Sequence, residues 1–94
     1  MAKIIIPEYL AKVVKLQKTA FDVKGTTVYE TLNDLCGNYT ALNDHFFYIN
    51  GDLKNYFLIT INKEYANAYD EIKDNDIIEI MLATSNRVDF TSSI

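Results

Sequence analysis

The stretch TTVYETLNDLCGNY, Thr26 to Tyr39, decides the fold. Thr27-Val28-Tyr29-Glu30 has the form of a capping box. The Thr27 hydroxyl is placed to accept from a free first-turn N–H, and Glu30 to reach back to the Thr27 amide. Behind the cap, Val28, Leu32, Leu35, Cys36 and Tyr39 recur at three- and four-residue steps, which lines them up on one side of a helix. Glu30, Asn33, Asp34 and Asn38 fall on the opposite side and meet water. A single amphipathic helix in a short chain needs a surface to cover, and the flanking sequence supplies one.

Upstream, Lys3 to Ile6 is a β-branched run that stops at Pro7, whose ring fixes φ and removes a ladder donor. It reads as a first strand. Tyr9, Leu10, Val13, Val14 and Leu16 have roughly helical spacing, yet Glu8 to Lys18 is read as a turn and loop. Thr19 to Lys24 alternates, with Phe21 and Val23 on one face and Asp22 and Lys24 on the other, as a second strand does. Gly25 breaks that pattern before the helix.

Downstream, Thr40 to Tyr48 is less regular, with Leu42, Phe46 and Phe47 supplying apolar contacts, and Asn50-Gly51 signals a turn. Leu53 to Ile61 is the longest strand expected. Phe57, Ile59 and Ile61 share one face, and Tyr56, Leu58 and Thr60 the other, which suits an internal strand. Asn62-Lys63-Glu64 reads as a turn and Tyr65 to Ala68 as a short strand. Asp74-Asn75-Asp76 turns again before a last strand, Ile77 to Leu82, and Thr84 to Ile94 reads as a mobile tail. The order predicts an α+β fold, a ubiquitin-like β-grasp. In it a mixed four- to five-stranded sheet carries one main helix on one face, as a domain over 1–83 with a C-terminal tail over 84–94.

The totals agree. A chain of 94 residues closes one core, and 49 % hydrophobic content with few Gly and Pro argues for a folded globule. The net charge of −4 argues against nucleic acid, because neutralising phosphates takes clustered Lys or Arg. Lysines nevertheless dominate the first quarter, while acids gather from Asp44 onward. The single cysteine forbids an internal disulfide and points to a reducing, cytoplasmic setting. Ile4-Ile5-Ile6 is too short for a signal peptide core or a membrane span, so no membrane partner is expected.

Ile4-Ile5-Ile6-Pro7-Glu8-Tyr9-Leu10 resembles the opening of small sulfur carriers of the MoaD/ThiS family, above all the CysO-like branch that feeds cysteine synthesis. Leu53 to Asn62 is similar to that family's central strand, and Glu64 stands where an acid is common there. Ile72-Lys73-Asp74-Asn75-Asp76-Ile77-Ile78-Glu79-Ile80 resembles its L-x-D-G-D-x-V-x-I segment, with Asn75 in place of Gly. Asn is the next best residue for a left-handed turn. The resemblance spans Lys3 to Ala83. It implies a protein that is no enzyme itself and needs no cofactor. Such a protein docks on an adenylating or sulfur-accepting enzyme, with molybdopterin biosynthesis as the other pathway the family serves.

Family members end in Gly-Gly, whose carboxylate is adenylated and converted to a thiocarboxylate. Glycine keeps such a tail slim and free to turn. Counting from Asp76 puts the pair at Asn86 and Arg87, and no Gly follows Gly51. The alternative is therefore a β-grasp interaction or regulatory module without carrier activity. For partner binding the reading selects Tyr56, Leu58 and Tyr65 on the sheet face away from the helix, with Asn86 and Arg87 in the tail. Self-association stays open.

Other chemistry is poorly supplied. Cys36 lies on the apolar stripe and reads as a buried hydrophobe. His45 has no second histidine for a zinc site. Asp70, Glu71, Asp74 and Asp76 lack calcium-loop spacing and read as a solvated turn. No acid, base and nucleophile converge on a reaction.

Overall fold

In the computed structural model, which describes residues 1–83, five strands form one mixed sheet ordered β2-β1-β5-β3-β4. They are β1 (Ala2–Ile5), β2 (Ala20–Val23), β3 (Phe57–Ile61), β4 (Glu64–Ala66) and β5 (Ile77–Leu82). β1 runs antiparallel to β2, with Ile4 opposite Phe21, and parallel to β5, with Ile4 opposite Ile78. β5 runs antiparallel to β3, with Ile59 opposite Ile80, and β3 runs antiparallel to β4. This is the β-grasp arrangement expected from the element order.

Helix α2 (Val28–Asn38) lies across one face. Its Val28, Leu32, Leu35 and Cys36 are buried among Ile4, Phe21, Val23, Ile59, Ile78 and Ile80. Each full burial of a large aliphatic side chain contributes about 1.5–3 kcal/mol before chain entropy is counted. The Thr27 hydroxyl accepts from the Glu30 amide at 3.2 Å. The return bond differs from the expected box: the Glu30 carboxylate accepts from the amide and hydroxyl of Thr26, both at 2.8 Å. Gly25 explains the shift. At φ +145° the chain doubles back so closely that a Cβ on Gly25 would stand 2.9 Å from Glu30 Cβ and from Thr31 N.

The helical content exceeds expectation. Glu8–Val13 forms α1 where a loop was expected. The Leu10 and Ala11 amides both donate to the Pro7 carbonyl, and their side chains are buried. Six residues show too little periodicity to separate a helix from a loop by spacing alone. The irregular Thr40 to Tyr48 stretch holds a 3₁₀ turn (Thr40–Leu42) and α3 (Asn43–Phe46), whose Leu42 and Phe46 plug the core beneath α2.

Conversely, Leu53 to Tyr56 is not strand. The chain turns at Gly51, φ 92°, to bridge Leu53 to Phe47, and joins the sheet only at Phe57. Asn62 and Lys63 both take positive φ, forming the tight mirror-image turn that matches sheet twist, and β4 starts at Glu64. Asn75 adopts φ 72°, the left-handed position for which Asn substitutes for Gly. The tail over 84–94 lies outside the described residues.

Candidate functional site

The period of two in each strand leaves the second sheet face bare of helix. Register sets its occupants: Ile5 of β1, Ile77, Glu79 and Met81 of β5, Leu58 and Thr60 of β3, and Tyr65 of β4. Ile77 is 42 % exposed, Met81 39 % and Tyr65 79 %, while Leu58 is half-buried. None of Ile5, Leu58, Ile77, Met81 and Tyr65 belongs to the core cluster, so their apolar surface faces outward. Two ion pairs sit on this face: Lys3 to Asp22 at 3.3 Å and Lys63 to Glu79 at 2.9 Å. Thr60 is buried with its hydroxyl unpartnered.

Of the residues selected from sequence, Leu58 and Tyr65 stand on this open face. Tyr56 does not. It precedes β3, packs against the core edge, and its ring tilts on that of Phe57 with centroids 4.8 Å apart. Its carbonyl instead marks the exit of the chain, accepting from the Ala83 amide at 2.8 Å. Asn86 and Arg87 lie outside the described residues. Ile5, Ile77 and Met81 were missed, although alternation about the buried Ile78 and Ile80 was a usable signal for the two on β5.

The chain leaves from the middle strand of the sheet, at the same end as the start of α1, because β1 and β5 are parallel. Tyr9, on α1, is a neighbour of Tyr56 at this end of the sheet. Its phenol is pushed above its ordinary range by burial and by the neighbouring Tyr56.

Reactive groups are not gathered here. Cys36 is on the buried side of α2, and burial pushes its thiol up to about 12, away from nucleophilic use. Among the described residues no three His, Cys, Asp or Glu side chains stand together as a metal site. The acidic segment serves turns. Asp70 accepts from the Asn67 amide at 2.9 Å, and Asp76 accepts from the Lys73 amide at 2.8 Å and from the Asn62 side chain at 2.9 Å. Those bonds hold the Asp76 carboxyl below its usual range. Among the described residues no helix is long and apolar enough to cross a membrane.

A helix-backed sheet with an open apolar face and a central-strand exit defines the ubiquitin-like β-grasp class. Solved structures share it. SAMP1 from Haloferax volcanii superposes at a TM-score of 0.73 with 24 % identity, covering 90 % of this chain and 97 % of that one. CysO from Amycolatopsis orientalis, solved as the BexX/CysO complex, gives 0.76 with 21 % identity over 92 % and 99 %. CysO from Mycobacterium tuberculosis gives 0.74 with 23 % identity over 89 % and 100 %. At these identities the likeness establishes the fold. No family model matches the chain, and no curated protein does.

Proposed function

We propose that this chain is a ubiquitin-like partner protein of the sulfur-carrier type. It docks its open sheet face on an adenylating or sulfur-accepting enzyme and presents the residues after Ala83 to that enzyme's active site. The observation that carries the reading is the placement of the exit. β5 is the middle strand, its outward residues Ile77 and Met81 lie on the apolar face, and the chain leaves from its end. A surface that grips the face therefore also receives the tail. The fold shared with CysO, solved with BexX as its partner, supports the same use.

If sulfur is carried, the chemistry is at a processed C-terminal carboxylate. The carboxylate attacks the α-phosphorus of ATP and expels pyrophosphate to give an acyl adenylate, and sulfide then displaces AMP to leave a thiocarboxylate. Asn86 and Arg87 stand where the family has Gly-Gly, and this favours a second reading in which the chain docks without carrying sulfur. Intact mass after incubation with ATP, sulfide and the host's adenylating enzyme separates the two. Exchange of one oxygen for sulfur establishes the carrier; an unchanged mass with binding retained establishes the docking module. Leu58→Asp with Met81→Asp is expected to weaken binding by about tenfold or more, as loss of a buried anchor does. Binding that ignores both changes refutes the docking face.

A further inference from the structure

The lysines of the first quarter are not scattered. Lys12 lies on α1, Lys15 ends it at φ 63°, and Lys18 leads into β2, so all three gather at the exit end of the sheet. Between Pro7 and Thr19 only Glu8 opposes them, in a chain whose net charge is −4. Among the described residues Lys12 and Lys15 enter no ion pair, whereas Lys3 and Lys63 do.

The same short helix is apolar where it meets water. Tyr9 is 45 % exposed and Val13 57 % exposed. With Lys12, they occupy positions i, i+3 and i+4 and so share one side of α1, opposite the buried Leu10 and Ala11. An exposed Tyr–Val pair rimmed by unpaired lysines is the composition of an interface anchor with steering charges around it.

We propose that this side of α1, Tyr9, Lys12 and Val13 continued by Lys15, docks against an acid-lined surface of the protein that receives the chain after Ala83. The inference rests on the docking reading above and adds a second contact to it. Any enzyme that takes in the residues following Ala83 must surround the exit. Tyr9 stands at that exit beside Tyr56, whose carbonyl holds the Ala83 amide. The contact therefore grips the exit from the α1 side as the sheet face grips it from the other. A membrane is a poorer occupant, because six residues with two exposed apolar side chains bury little area in a lipid interface and the rest of the chain is acidic.

The test is titration calorimetry against the host's adenylating enzyme at two salt concentrations. Lys12→Glu with Lys15→Glu, and separately Tyr9→Ser with Val13→Ser, are expected to weaken binding about tenfold. The charge reversal should also reduce the salt dependence. Lys24→Glu, just past the far end of β2, alters net charge by two units, as each α1 reversal does, without touching α1 and is expected to leave affinity within about twofold. All these positions are exposed, so unchanged melting of the variants confirms that they fold. If the wild type binds, Leu58→Asp weakens it and both α1 variants match the wild type, this inference falls while the docking face stands. If the wild type does not bind, the docking reading falls and takes the inference with it. Lysine-dependent binding to phosphatidylserine vesicles with no effect on the enzyme also overturns it.

Discussion

Ile59 and Leu58 are adjacent in β3 and point to opposite sides of the sheet, so the same truncation should have two different outcomes. Ile59 is 6 % exposed and belongs to the core cluster beneath α2. Ile59→Ala removes buried carbons and leaves a cavity that the close-packed layer fills only in part, a loss of about 3 kcal/mol. In a domain of this size each kcal/mol lowers Tm by roughly 4–8 °C, so a fall of about 12–24 °C is expected. Leu58 is half-buried outside the core cluster. Its truncation forfeits roughly half of a full leucine transfer, about 1 kcal/mol, and a few degrees. Thermal melting by circular dichroism measures both, and calorimetry against the partner enzyme measures the complementary loss, expected for Leu58→Ala. Equal Tm shifts for the two variants, or a larger one for Leu58→Ala, would refute the assignment of faces and the docking surface with it.

Gly25→Ala forces a Cβ to 2.9 Å from Thr31 N at a φ that side chains avoid, and should cost about 1–3 kcal/mol in urea titrations. The Asp76 and Glu30 carboxyls are both held below their ordinary values of 3.8 and 4.5 by backbone hydrogen bonds, from Lys73 and Thr26 respectively. Their contribution is complete above those ordinary values and disappears as pH falls through the lowered ones. Asp76→Asn and Glu30→Gln should therefore each flatten the acid side of a stability–pH curve. Cys36 should resist iodoacetamide at neutral pH while the protein is folded and react on denaturation. With its thiol raised from 9.0 to about 12, its contribution is intact below 9.0 and declines as pH rises from there.

Much of the fold was legible because long patterns announce themselves. The stripe from Val28 to Cys36 is what α2 buries, and the Ile77–Leu82 run is β5. Asn75 was readable as a left-handed turn residue because it stands where the resembling segment has Gly and Asn tolerates that conformation. Short elements were not legible. α1 spans less than two turns, and its exposed Tyr9 and Val13 look like core residues in a sequence. Tyr56 illustrates a different limit. Alternation extended backward from Phe57 places it on the open face, but the chain stops being strand one residue earlier, so parity no longer applies. The open face itself was inferred from the β-grasp fold and populated with Tyr56, Leu58 and Tyr65, while Ile5 was hidden within an unbroken apolar run.

The parallel pairing of β1 with β5 has a consequence for biosynthesis. Ile4 leaves the ribosome well before its sheet neighbour Ile78, from which it is separated by nearly the whole domain. Until then β1 has only β2 beside it, and a two-stranded hairpin is marginal in water. Nascent chains stalled before Ile77 should therefore be digested readily by protease, and chains stalled once Leu82 has cleared the exit tunnel should resist it.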